Sequence, residues 1–314
     1  IMSSDWSSDV CSSDLTKQPT VTLSGNDLTV DDIVAIGIGD KKVELDRAAL
    51  KRCRASREFL EQEVGAKRII YGVNTSFGPM CNKIISDNEI ESLQVNLIRS
   101  HAAGLGDPLK HYVALGILAV RLNSLVKGFS GVRIELLELM RDMINAGVAP
   151  YVPRCGSVGA SGDLVHLAHV ALSIIGEGTV YFKGEPMTAR EALSRAGLTP
   201  MRLSFKEGIA LINGTAAMTG IGAFALFGAA KMLNLGCVNA AFALEIFGGI
   251  DDAFDEDLHR VKPHPGQVAV AETIRKLYEG SENITLRKNM HRLIREQGNG
   301  EEVYETSINV QDVY

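Results

Sequence analysis

The sequence has no C-x-x-C pair, no block of basic residues and no loop ending in Gly-Lys-Ser/Thr. Its five cysteines (Cys11, Cys53, Cys81, Cys155 and Cys237) are odd in number and widely spaced, which excludes a paired-cysteine zinc or redox centre and fits a reducing cytoplasm. Thirty-two Lys and Arg against thirty-eight Asp and Glu leave a net charge of -6. With no basic patch interleaved with aromatics, the chain is not built to grip a phosphate backbone, and no nucleic-acid partner is expected. Charged residues make up 22% and hydrophobic residues 46%, which is too apolar for disorder and ample for a core. At 314 residues, one large domain or two smaller ones are expected.

The first fifteen residues repeat Ser-Ser-Asp from Ser3, Ser7 and Ser12 and lack the basic and apolar regions of a signal peptide. They read as adapter-like, non-native sequence and are set aside. The uncharged run from Ile209 to Ala230 has the length of a membrane span. It contains Asn213, Gly214, Thr215, Gly220 and Gly222, and no second segment resembles it. A helix apolar on every side is also what the centre of a large helical bundle requires, so no membrane role is expected.

What is present is mostly helical periodicity. Arg47 to Glu63, Ile90 to Ala103, His111 to Val126 and Gly131 to Ala146 carry apolar residues at three- and four-residue spacing, and another helix begins at Asp163. Thr22 to Asn26 and Lys41 to Glu44 read as short extended pieces around a loop, and Val180 to Pro186 as a small hairpin about Lys183-Gly184. After Ser204 the chain reads as helical throughout. The expectation is a mainly α protein with a small mixed α/β N-terminal region, divided into residues 16–205 and 206–314.

The loop Gly156-Ser157-Val158-Gly159-Ala160-Ser161-Gly162-Asp163 is full of small residues and runs straight into a helix, with Asp163 placed as its N-cap. On composition alone it is either a tight capped loop or a site of special backbone geometry. It does not fit a nucleophile elbow, which needs G-x-S-x-G, nor a dinucleotide loop, which needs G-x-G-x-x-G. His166 and His169 share a helix face but have no third ligand nearby in sequence, so they read as packing or capping residues, and no metal is expected.

In these blocks the chain resembles the aromatic amino acid ammonia-lyase family, which includes the histidine, tyrosine and phenylalanine lyases. Ala160-Ser161-Gly162 looks like the family's self-processing triad. Four further blocks follow in family order: Tyr71-Gly72-Val73-Asn74-Thr75 with Gly78, Asn96 to His101, Asn213-Gly214-Thr215, and Gln311-Asp312-Val313-Tyr314. The resemblance covers residues 17–314 and implies a long helical-bundle fold, with residues 206–314 as the first part of the central bundle.

It also implies a prosthetic group, 4-methylideneimidazole-5-one, made autocatalytically from Ala160, Ser161 and Gly162, with no metal and no nucleotide. The implied reaction is elimination of ammonia from an aromatic L-amino acid. Tyr71 is the implied base that removes the β-hydrogen. Asn213 would hydrogen-bond prosthetic group and substrate, with Tyr314 a second active-site tyrosine and Gln311 beside it. Gly72 would admit the substrate to the backbone, and Ser100 and His101 would line the pocket around its ring.

The Ser100-His101 pair slightly favours histidine, giving urocanate. Val165-His166-Leu167 and Met218-Thr219-Gly220 lean toward the tyrosine-acting branch, and a 2,3-aminomutase uses the same prosthetic group. The family's Ser-x-Arg, whose arginine pairs with the substrate carboxylate, should follow Tyr314, so the chain reads as truncated there and inactive alone. In full length the resemblance implies a cytoplasmic homotetramer.

Overall fold

A computed structural model of the chain describes residues 18–75 and 89–289. The contacts divide it into two compact units, Ile1–Phe227 and Gly228–Tyr314. Among the described residues are eleven α-helices and seven short strands, all of the strands before Ala189, so the architecture is mainly α with small β excursions, as the periodicity implies.

The first unit opens with β1 (Thr20–Leu23) and β2 (Lys42–Leu45), paired in parallel with Val21 opposite Val43. The stretch between them, expected as a loop, is helix α1 (Val30–Ile38). Thr29 and Asp32 form a reciprocal capping box at its start and Gly39 closes its end. A parallel pair needs a crossover, and this nine-residue helix supplies it while burying Ile33, Val34 and Ile36. Helix α2 (Arg47–Gly65) follows, with Asp46 Oδ1 accepting from the Ala49 N–H at 2.7 Å.

Helix α4 (His111–Val126) packs against α1 and α2. Ile117, Leu118, Ala119 and Leu122 of α4 are fully buried, so a helix apolar on nearly every face occupies the centre. Helix α5 (Ile134–Ala146) also packs on α4, while α3 (Ile90–His101), α6 (Leu164–Ile174) and α8 (Glu207–Ile212) pack on one another, with α7 (Ala189–Arg195) against α6. Leu136, Leu137, Met140 and Met143 of α5 face inward at helical spacing.

Strand β3 (Leu105–Pro108) pairs antiparallel with β5 (Pro153–Cys155), while β4 (Ala149–Pro150), β6 (Thr179–Phe182) and β7 (Glu185–Thr188) form one antiparallel sheet. The expected hairpin is β6–β7. Lys183 and Gly184 both have positive φ, 52° and 83°, as a two-residue turn between twisted strands demands.

Helix α9 (Ala216–Phe247) begins in the first unit. Its Ala216, Ala217 and Ala223 are buried, and Gly220 lies against Ile117 of α4. Among the described residues one helical stretch, Glu207–Phe247, is long and apolar enough to cross a membrane by length and composition. The second unit carries the rest of α9, with Met232, Leu233, Phe242 and Phe247 exposed, then α10 (Glu256–Arg260) and α11 (Pro265–Tyr278). His259 ties α10 to α11: its Nε2 donates to the Ala253 carbonyl at 3.0 Å, and its Nδ1 accepts from the Gln267 amide at 3.0 Å.

Candidate active site

Strand β5 delivers the chain into the 156–163 loop, and α6 carries it away. Ser161 has φ of 61°, in the left-handed region that a residue with a side chain rarely occupies. Gly162 follows with φ of 101°, and a Cβ there would overlap the carbonyl oxygen of Gly214. Only glycine satisfies both conditions at this position. Ala160 and Ser161 are exposed at the turn, and the Gly162 N–H reaches back to the Gly159 carbonyl at 3.4 Å.

Asp163 stands at the N-cap position of α6, but its side chain makes no capping bond to that helix. It bonds across to the turn between α8 and α9 instead. Its N–H donates to Gly214 O at 2.7 Å and its Oδ2 accepts from the Met218 N–H at 2.7 Å. The expected local cap is thus a cap in trans, because the residues after Asn213 offer the free N–H groups of a longer helix. Asn213 ends α8 with an exposed side chain and extended backbone. Loop 160–163 and turn 213–214 therefore meet backbone to backbone.

The two histidines act as pins. His166 is buried; its Nε2 donates to the Arg154 carbonyl at 3.2 Å, which leaves Nδ1 to accept from Ser157 Oγ at 2.9 Å. His169 Nε2 accepts from the Gly104 N–H at 3.1 Å. Burial first, and His166 second, push the His169 pKa below its usual value, which keeps the ring neutral and able to accept. Among the described residues no three His, Cys, Asp or Glu side chains gather as a metal-holding group.

Ser100 and His101 lie on the last turn of α3. Ser100 Oγ donates to Leu97 O at 2.9 Å, and His101 Nδ1 contacts the same carbonyl at 2.8 Å. A carbonyl only accepts, so the Nδ1 proton is fixed and neutral His101 has an acceptor at Nε2. Gly104, just beyond, joins this segment to the loop through His169, and a side chain at Gly156 would run into Gly104 and Val165. Pairing of β3 with β5 holds the two segments together.

Tyr71 stands exposed on the loop after α2. Asn74, which sequence reasoning gave no role, knits that loop: its Oδ1 accepts from the Ile70 N–H at 2.8 Å and its Nδ2 donates to Arg68 O at 2.7 Å. The buried Gly72 N–H donates to Thr75 Oγ1 at 3.2 Å. Gly78, Gln311 and Tyr314 lie outside the described residues.

Sequence reasoning also missed Arg121. Its Nη2 donates to Ala210 O and to Asn213 O, the latter at 3.0 Å, from the middle of α4. The available signal was an arginine within an otherwise apolar helix.

The Ala-Ser-Gly turn thus lies against the Asn-Gly turn on a helical scaffold. The chain belongs to the aromatic amino acid lyase family, whose sequence model, "Aromatic amino acid lyase", matches residues 28–314. It is 45% identical over 266 residues to a histidine ammonia-lyase of Streptococcus pyogenes, which is 85% of this chain and 52% of that protein. The chain spans about half the length of the curated relatives it matches.

Among solved structures it is similar to tyrosine aminomutase from Streptomyces globisporus, with TM-score 0.87 and 34% identity over 94% of this chain and 56% of that one. It is also similar to histidine ammonia-lyase from Trypanosoma cruzi, with TM-score 0.76 and 38% identity over 82% and 49%.

Proposed function

We propose that the protein is a carbon-nitrogen lyase that eliminates ammonia from an aromatic L-amino acid, with histidine, giving urocanate, the favoured substrate. The observation that carries the reading is the Ser161-Gly162 turn, held in left-handed backbone against Gly214. A 4-methylideneimidazole-5-one built from Ala160, Ser161 and Gly162 needs small residues and a backbone folded on itself, and this turn fits that need. Once formed, the group would supply an electrophile that makes the substrate amine a better leaving group.

The surrounding residues then take ordinary roles. Helix α6, starting at Leu164, directs its N-terminal N–H groups toward the loop, which favours negative charge there. Tyr71 is proposed as the base for the β-hydrogen, and Asn213 as the hydrogen-bonding partner of the prosthetic group and substrate. Gly72 and Gln311 are proposed to border the substrate, with Tyr314 a second active-site hydroxyl. His101, with Nδ1–H tied to Leu97 O, offers Nε2 to a ring that carries a donor. Imidazole and phenol carry one and phenyl does not, so histidine and tyrosine are favoured over phenylalanine.

Histidine leads because of the 45% identity to a histidine ammonia-lyase. Likeness to a tyrosine aminomutase supports a second reading, in which the amine returns to the β-carbon. The domain reading goes with the first: residues 16–205 carry the loop, and residues 206–314 contribute Asn213 and open the central bundle. A cytoplasmic homotetramer is proposed on the same family resemblance.

The test has two arms. The mass of the loop-bearing peptide from the full-length protein should be lower by two waters, one from closing the Gly162 nitrogen onto the Ala160 carbonyl carbon and one from the Ser161 hydroxyl. Assays with histidine, tyrosine and phenylalanine should then give the unsaturated acid fastest from histidine. An unmodified loop mass would sink the proposal, and a β-amino acid product would replace it with the mutase.

A further inference from the structure

Helix α8 carries Asn213 at its C-terminal end and is fixed by three neighbouring elements. Glu207 is fully buried, and its carboxylate accepts from the Arg133 N–H at 3.1 Å, Arg133 Nε at 2.9 Å and Arg133 Nη2 at 2.7 Å. The Gly208 N–H donates to Gln94 Oε1 of α3 at 2.8 Å. The third anchor is Arg121 of α4.

Arg121 differs from Arg133 in one respect. It is 6% exposed and has no carboxylate partner among the described residues. Its Nη2 bonds the carbonyls of Ala210 and Asn213, its Nη1 reaches Ser124 Oγ at 3.4 Å, and its Nε–H has no partner among the described residues. Burial alone lowers its pKa to about 10, which leaves it charged at neutral pH. An uncompensated buried cation opposes stability, so a neutral side chain would serve the fold better if packing were all the position required.

What the guanidinium does is specific. It holds the Asn213 carbonyl toward α4, which sets the plane of the Asn213-Gly214 peptide. Gly214 has no room for a Cβ because Arg121 Nη1 occupies that space. The Gly214 carbonyl, turned the other way, accepts the Asp163 N–H at 2.7 Å. From Arg121 to the loop the path is two peptide groups.

We propose that Arg121 is a positioning residue for the reacting loop: by fixing the Asn213 carbonyl it orients the Asn213-Gly214 turn against which residues 160–163 close. The inference rests on the ammonia-lyase reading. It goes beyond that reading in assigning to a core arginine, out of contact with the loop itself, control over how Asn213 and Gly214 are presented.

The test compares Arg121→Gln and Arg121→Lys with wild type in the full-length protein, measuring melting temperature, loop-peptide mass, kcat and KM with histidine. Gln removes the buried charge and keeps an amide donor, so its melting temperature should not fall. Its kcat should nevertheless drop roughly ten- to hundredfold, the scale of a misplaced active-site group, with KM within about threefold. The dehydrated fraction of loop peptide should also fall. Lys, which can reach one carbonyl at a time, should lie between Gln and wild type.

A third arm combines Arg121→Gln with Asn213→Ala. Asn213→Ala keeps the backbone carbonyl that Arg121 holds, so the double variant should lose as much dehydrated loop, relative to Asn213→Ala alone, as Arg121→Gln loses relative to wild type. The proposal is overturned if the folded Gln variant keeps wild-type kcat and loop mass, if kcat falls only in step with melting temperature, or if Arg121→Gln has no effect on loop dehydration in the Asn213→Ala background. Should wild type show no dehydrated loop, the lyase reading itself fails and this inference falls with it; that outcome is read from the wild-type arm alone.

Discussion

The Asp163 carboxylate accepts the Met218 N–H at 2.7 Å, so the residue that ends the Ala-Ser-Gly loop also closes the first turn of α9. The same residue donates its own N–H to Gly214 O. Two bonds from one residue thus lock the loop onto the start of the longest described helix. Asp163→Ala should lower stability by about 1–2 kcal/mol, the usual cost of a lost helix cap, and Asp163→Asn should recover most of it. Denaturant unfolding of the two variants checks this; equal midpoints for Ala and wild type would show the cap is immaterial.

Gly162→Ala should block processing of the loop. The methyl group would meet the Gly214 carbonyl, and φ of 101° is closed to alanine, so the turn must open. The expected result is a loop peptide of unprocessed mass, with helical circular dichroism unchanged.

Ser161→Ala should abolish turnover and leave the fold intact, since Ser161 is exposed and no hydroxyl is left to be lost as water. Activity with histidine and circular dichroism together decide it. Wild-type turnover by this variant would end the prosthetic-group reading.

Tyr71→Phe should lower kcat by at least about a hundredfold, the low end of what a positioned acid–base group contributes, with loop dehydration unchanged. A variant that retains most of its kcat would move the base elsewhere, with Tyr314 the next candidate.

Acid should loosen the β5 end of the loop through His169. Its pKa in the fold lies below the ordinary 6.5, mainly because the ring is buried. Unfolded chains therefore bind more protons here once the pH drops under 6.5, and stability is lost progressively as pH falls toward and through the folded pKa. Protonated Nε2 also cannot accept from Gly104. Melting temperature against pH should fall below pH ~6.5, and His169→Gln should flatten that limb of the curve.

Local patterns in the sequence carried much of the architecture. Leu136, Leu137, Met140 and Met143 sit at helical spacing and are buried together in α5, and Lys183-Gly184 forms the turn its composition requires. Helix α1 reads as a loop in the sequence: its nine residues are too short for periodicity to stand out, and the Thr29-x-x-Asp32 capping box is its one local signal. The triad and the Asn213 block could be quoted from the sequence, because special backbone geometry restricts residue type to a few small side chains.

By itself, then, the sequence determined the helical class, the hairpin and the family, each written in contiguous residues. Only the tertiary structure decided which partners those residues take. Asp163 caps α9 rather than α6, His166 finds Ser157, His169 finds Gly104, and Arg121 reaches Asn213 from another helix. Those bonds join residues from 9 to 92 positions apart. A hydrogen bond is satisfied by whatever donor and acceptor the packed core brings within about 3 Å, and one-dimensional spacing holds no record of that distance.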